Sequence, residues 1–168
     1  MSSQDNNQIE LVEKLKSLFE TEILKHELFR DDLTVIVKRD RILDLMKHLK
    51  EVQGYDMLVS LTAVDYLKME KSPRFAVVYH LRAMKTGQRV RIKVPISEND
   101  SKIESLTSLW KVANWLEREA WEMYGIEFLN HPDMRRLLTP DTFTNYPLRK
   151  DYPLRGKGER EVILPEGT

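Results

Sequence analysis

Three charged side chains stand together at Glu117-Arg118-Glu119, with Trp110, Trp115 and Trp121 close by in the sequence. A pair of carboxylates beside an arginine is raw material for acid and base catalysis. Residues two apart on a helix point about 200° apart, however, so Glu117 and Glu119 cannot converge on one substrate atom. They read as structural ion-pair residues. A second group, His131-Pro132-Asp133 followed by Arg135-Arg136, sets a loop histidine beside a carboxylate, which suits a general base or part of a metal site. The remaining histidines, His26, His48 and His80, are not spaced as ligand partners for it. The chain has no cysteine, so thiolate ligands for iron–sulfur clusters or structural zinc are excluded. Gly156-Lys157-Gly158 lies in coil, not between a strand and a helix, which argues against a phosphate loop or a dinucleotide fingerprint. The residues therefore lead us to expect no catalytic, cofactor-binding or metal-binding side chain in this chain.

The apolar pattern shows what would position these groups. From Gln8 to about Ile23, Ile9, Val12, Leu15, Leu18, Phe19 and Ile23 recur at helical spacing. Leu33 to Val37 is β-branched and reads as a strand, and Ile42, Leu45, Met46, Leu49 and Val52 then mark one face of a helix that Gly54 stops. Three β-like runs follow, Met57 to Tyr66, Arg74 to Met84 and Gln88 to Pro95, with connections short enough for antiparallel hairpins. In the last run Val90, Ile92 and Val94 alternate with Arg89, Arg91 and Lys93, giving one apolar face and one basic, solvated face. A final helix is expected over Ser105 to Tyr124, closed by Gly125. The order α-β-α-β-β-β-α predicts an α+β fold, a mainly antiparallel four-stranded sheet packed with helices.

With 168 residues and 41% hydrophobic content, one domain with a real core is the expectation. Lys plus Arg and Asp plus Glu each number 27, so no charge excess points to nucleic acid. No apolar run approaches the roughly 20 residues needed to cross a bilayer. The polar start, Met1 to Asn7, lacks the pattern of a secretion or transit peptide and reads as a mature N-terminus in a bacterial cytoplasm.

After Leu129 the chain changes character. Pro132, Pro140, Pro147, Pro153 and Pro165 are five of its seven prolines, so neither a long helix nor a central strand can form there. Leu137, Leu138, Phe143, Tyr146, Leu148, Tyr152 and Leu154 are too many large apolar groups for a solvated linker. We therefore divide the chain into a domain over 1–129 and an extended tail over 130–168 that lies on a surface. Its own domain would satisfy the same residues, but a partner protein is the stronger expectation, with Arg135, Arg136, Arg149, Lys150 and Arg155 as charged hydrogen-bond donors. The same cations interleaved with aromatics would suit single-stranded RNA, were they not interrupted by Asp133, Asp141 and Asp151. A stand-alone enzyme built on His131 is the other rival.

The run Trp115-Leu116-Glu117-Arg118-Glu119-Ala120-Trp121-Glu122-Met123-Tyr124-Gly125-Ile126-Glu127-Phe128, then His131-Pro132-Asp133-Met134-Arg135-Arg136-Leu137-Leu138, closely resembles the signature of the 30-kDa-type (C) subunits of bacterial NADH:quinone oxidoreductase, respiratory complex I. Pro147-Leu148-Arg149-Lys150-Asp151-Tyr152-Pro153 looks like the same family, and the resemblance covers nearly the whole chain. It implies a structural component without a redox centre, peripheral on the cytoplasmic side of the bacterial membrane. The partners implied are the quinone-site subunit, the terminal-cluster subunit and the ferredoxin-like subunit of the peripheral arm. FMN, iron–sulfur clusters, NADH, a quinone and proton transport belong to the assembly. An equivalent scaffold in a membrane-bound hydrogenase or a ferredoxin- or F420-linked complex is the alternative. On this reading Glu117, Arg118 and Glu119 form an interface ion network, His131, Asp133, Arg135 and Arg136 anchor a loop, and Arg149, Lys150 and Asp151 dock. Gly125, Pro132, Pro147, Leu148, Tyr152 and Pro153 complete the motif. Departures are mild: Glu122 for a usual aspartate, Asn130 for glycine, and Phe143 for tryptophan.

Overall fold

The computed structural model describes residues 3–30, 32–69 and 73–158, with the backbone alone over 3–7. The chain runs through α1 (Ser3–Phe19), β1 (Ile23–Phe29), β2 (Asp32–Val37), α2 (Ile42–Glu51), β3 (Met57–Asp65), β4 (Phe75–Arg82), β5 (Arg89–Ile96), β6 (Lys102–Glu104), α3 (Ala113–Tyr124) and β7 (Glu127–Leu129). Alternation does most of the sorting. In β5 Val90, Ile92, Val94 and Ile96 are buried while Arg89, Arg91 and Lys93 look outward, because successive strand side chains point to opposite faces. Val35 and Val37 from β2, Phe75, Val77, Tyr79 and Leu81 from β4, and Leu58, Leu61 and Ala63 from β3 extend the buried face. One core joins these to Leu11, Leu15 and Phe19 of α1, Ile42, Leu45, Met46 and Leu49 of α2, and Ala113 and Ala120 of α3.

The mixed α+β architecture is as expected, but the sheet is not. It has five strands in the order β1-β2-β5-β4-β3, and β2 and β5 run parallel, so the four-stranded, mainly antiparallel sheet is corrected. Two physical reasons account for the difference. Almost all of β1 is exposed on both faces, so it carries no apolar alternation, and its first residues extend the helical pattern of α1 by chance. The β2-α2-β3 connection passes over two strands, which lets β5 enter beside β2, and a sequence cannot display such a neighbour choice locally. The hairpins β3-β4 and β4-β5 are antiparallel as read. A second sheet, β6 beside β7 in parallel, went unread because each strand has only three residues.

The last helix begins at Ala113 rather than Ser105. Residues 105–112 form turns instead, because the Ser105 hydroxyl and Leu106 N–H are committed to a side chain of α3. Between 130 and 158 no residue is helical or in a strand. Tail residues 159–168, with Pro165, lie outside the described residues, as do Glu70 to Ser72 of the β3-β4 connection.

Leu45 is buried in the core and Leu18 is exposed on α1. Leu45→Ala should lower the unfolding free energy by about 2–5 kcal/mol, and Leu18→Ala by no more than about 0.5 kcal/mol. Urea titration of both variants checks this.

Candidate functional site

Helix α3 carries Arg118 and Glu122 four residues apart, hence on one face one turn from each other. Both grip the same stretch of tail. The Arg118 guanidinium donates to the carbonyls of Arg135 at 2.7 Å and Arg136 at 3.1 Å. The Glu122 carboxylate accepts the next three amides, Leu137 at 2.8 Å, Leu138 at 3.1 Å and Thr139 at 2.6 Å, and also the Thr139 hydroxyl. One cation takes the carbonyls and one anion takes the amides of five consecutive residues. Burial alone would raise the Glu122 pKa, but these donors outweigh it and hold the carboxyl below its ordinary range. Glu122 was not singled out as a site residue in the sequence. Its place four residues after Arg118 was the available signal.

One face away lies Glu117, fully buried. Its carboxylate accepts the Ser105 hydroxyl at 2.6 Å and the Leu106 N–H at 2.7 Å, which folds the turn before α3 back onto the helix. No cation among the described residues neutralises it by hydrogen bonding. The nearest candidate, His131 Nε2, sits 4.0 Å away and points to the carbonyl of Asn114 at 3.2 Å. His131 Nδ1 accepts the Asp133 N–H at 3.1 Å, so the ring holds its own loop in shape. Burial pushes the Glu117 pKa up to about 7, against the pull of its two donors. The Tyr79 hydroxyl is buried with no hydrogen-bond partner among the described residues, and burial followed by the Glu117 charge pushes its ionisation upward.

A further anchor closes the tail over the end of α3. Gly125 caps the helix at φ +74°, and a Cβ there would lie 2.6 Å from Cζ of Tyr146 and 2.7 Å from Nη2 of Arg149, so only glycine admits this approach. Arg149 donates to the Tyr124 carbonyl at 2.6 Å and stacks 4.4 Å from the Tyr146 ring centroid. The Leu148 N–H reaches the Met123 carbonyl at 3.2 Å. Lys150 enters through its backbone, N–H to Asp65 at 2.9 Å, while Asp151 pairs with Arg74 at 2.9 Å. Arg74 also grips Asp65 through two nitrogens. Burial would raise Asp65, but Arg74 and the amides of Lys150 and Leu67 bring it down to about 2.

The structure thus brings together some of the residues the sequence singled out. Glu117, Arg118, His131, Leu148, Arg149, Lys150 and Asp151 meet around α3 and the β3-β4 end of the sheet. Pro132, Pro147 and Pro153 lie in the irregular segments between these anchors, and the Tyr152 ring packs 6.3 Å from that of Phe143. Glu119 is exposed, and Asp133 pairs with Arg135 at the surface at 2.7 Å. Arg136 bonds Thr139 and lies over Trp121. Glu117, Arg118 and Glu119 share no ion pair with one another among the described residues, because neighbouring helical side chains diverge. No group of three or more His, Cys, Asp or Glu that would hold a metal ion occurs among the described residues. No described helix is long and apolar enough to cross a membrane.

The family described as "Respiratory-chain NADH dehydrogenase, 30 Kd subunit" matches residues 35–158. A relative from Citrifermentans bemidjiense, named as the C subunit of NADH-quinone oxidoreductase, is 46% identical over 145 residues, covering 86% of this chain and 89% of that one. A relative of the same name from Geotalea uraniireducens is 47% identical over 143 residues, 85% and 86% of the two chains. Among solved structures, the trypsin-resistant fragment 1–134 of Nqo5 is similar with TM-score 0.67 and 31% identity, covering 75% of this chain and 98% of that one. The membrane-bound sulfane sulfur reductase, an archaeal respiratory membrane complex, contains a chain with TM-score 0.77 and 21% identity over 96% of this chain and 95% of that one, a likeness of fold.

Two outcomes follow from this geometry. Glu122→Ala leaves three amides without their acceptor and should cost about 3 kcal/mol, and hydrogen exchange at Leu137, Leu138 and Thr139 should accelerate together. Glu117 titrates near its ordinary value when unfolded and at about 7 when folded, so the folded state holds the proton more tightly. Stability from this group is present at low pH and lost as pH rises from about 4.5 to about 7. Urea titrations across that window should show a slope in the native chain that Glu117→Gln flattens.

Proposed function

The chain belongs to the respiratory-chain NADH dehydrogenase 30 Kd subunit family, and from that premise we propose that it is a cofactor-free scaffold in the peripheral arm of an NADH:quinone oxidoreductase. Electron transfer from NADH to quinone, coupled proton transport, FMN and the iron–sulfur clusters belong to the assembly, and this chain holds no active site of its own. The partners we propose are the quinone-site, terminal-cluster and ferredoxin-like subunits, met on the cytoplasmic side of the membrane. Residues 1–129 form the folded body in this reading, and the segment from Asn130 carries the docking surface.

The observation that carries the reading is the two-sidedness of α3 and the tail. Their inward groups are bonded within the chain, while Trp115 remains 62% exposed, Leu138 66% and Leu148 48%, and Leu154 is fully exposed. Large apolar groups left outward on a segment already fixed in shape suit a second protein surface. A stand-alone enzyme is opposed by His131, whose side chain is buried and committed to Asn114 and Asp133. RNA binding is opposed by Arg118 and Arg149, which are spent on carbonyls of the chain itself. The scaffold of a related hydrogenase or ferredoxin-linked complex would have the same fold, and the relatives' names favour the NADH-linked assembly.

Replacing Leu138 and Leu154, both exposed, together by Glu tests the reading without altering a side chain of the inward bonds. The isolated variant should keep its circular dichroism and urea midpoint, yet should no longer sediment with the membrane complex, and NADH:quinone activity of those membranes should fall. Full activity with the variant retained in the complex would refute it.

A further inference from the structure

The five-stranded sheet has a second face, turned away from the core. His80 of β4 lies between Tyr79 and Leu81, both core residues, so its ring points to the side opposite helices α1, α2 and α3. There it joins a polar row that crosses four strands, from Ser60 of β3 through His80 and Arg91 of β5 to Thr34 of β2. Arg91 Nε donates to His80 Nε2 at 2.9 Å, and its Nη1 donates to the Thr34 hydroxyl at 3.1 Å. An arginine can only donate, so the ring hydrogen stands on Nδ1 and is given to Ser60 Oγ at 2.9 Å. Burial, and then the Arg91 charge, lower the His80 pKa and keep the ring neutral. The Ser60 hydroxyl hydrogen is left without an acceptor among the described residues.

This row borders a groove of about 370 Å³ lined by Asp32, Val59, Ser60, His80, Arg89 and Arg91. Arg82, Arg89, Arg91 and Lys93 belong to the same face, since each alternates in step with His80 or Arg91 along its strand. Among the described residues of the five strands, the carboxylates on this face are Asp32 and Glu27, and Glu27 already pairs with Lys25 at 2.5 Å. The Asp32 oxygens lie 3.8 Å from Arg89 and 3.7 Å from Arg91, beyond hydrogen-bond reach. In a chain of zero net charge, cationic donors are thus gathered in excess on one face. We propose that this face docks an acidic segment of a partner protein, one of whose carboxylates enters the groove and accepts from Arg89, Arg91 and the Ser60 hydroxyl. A carboxylate matches the planar guanidinium fork, and the exposed Val59 offers apolar contact that a phosphate backbone would not use. Asp32, standing in the groove, also opposes a dianionic phosphate more than a single carboxylate. The inference rests on the scaffold reading and adds to it a second surface, across the sheet from α3, so that the chain is held between two proteins.

Zero-length coupling in the membrane-purified complex tests this. Carbodiimide joins an amine to a carboxylate in contact with it, and Arg89→Lys places an amine at the exposed rim of the groove. Mass spectrometry should find that amine joined to an Asp or Glu of another protein of the complex. Adding Arg91→Gln, which removes the central charge, should lower the yield about tenfold, and circular dichroism of the isolated variants establishes that they are folded. Coupling to Asp32 alone, or a yield unchanged without the Arg91 charge, would overturn the proposal and leave the scaffold reading standing. Binding of the isolated native chain to phosphatidylglycerol vesicles or to single-stranded DNA, abolished by Arg91→Gln and unaccompanied by coupling between proteins, would overturn it in favour of a phosphate ligand. Absence of the chain from the purified complex would overturn the scaffold reading and this inference with it.

Discussion

Irregular backbone laid against a protein surface brings carbonyls and amides that no ladder satisfies, and leaving them buried and unpaired costs more than apolar contact returns. In this chain the difficulty is met by two side chains one turn apart on α3. Arg118 supplies donors for two carbonyls and Glu122 an acceptor for the three amides that follow. The spacing works because helical residues four apart share a face. The described tail after Arg135 continues from this pair through the turn at Thr139, the return of Tyr146 and Arg149 to Gly125, and the seating of Lys150 and Asp151 on Asp65 and Arg74.

Buried charge is handled in two opposite ways within a single helix. Glu122 is surrounded by donors and kept ionised, whereas Glu117 has only two and lies where ionisation is costly. The difference separates their work. Glu122 holds the tail, and Glu117 holds the turn that precedes α3, so one helix organises the chain on both sides of itself.

Much of this was legible in the residues. The strands β2, β3, β4 and β5 announced themselves because β-branched and aromatic residues alternate there, and the prolines after Leu129 marked where regular structure ends. The edge strand β1 was silent, since a strand exposed on both faces has no apolar period to read, and the parallel contact of β2 with β5 depends on partners distant in sequence. In the site, the divergence of Glu117 and Glu119 followed from helical geometry alone. That Arg118 would serve backbone carbonyls rather than a carboxylate did not, because side-chain type shows what a group can bond but not which groups the fold will leave unbonded.

The scaffold role we propose needs α3 and the tail to have an inward face completed within the chain and an outward face completed by another protein. Hydroxyl-radical footprinting of the isolated chain and of the chain within the membrane-purified complex measures both faces together. Trp115 and Leu138 should be oxidised in the isolated chain and shielded in the complex, while the buried Phe143 and Met123 should stay shielded in both. Equal oxidation of Trp115 and Leu138 in the two samples would contradict a docked outward face.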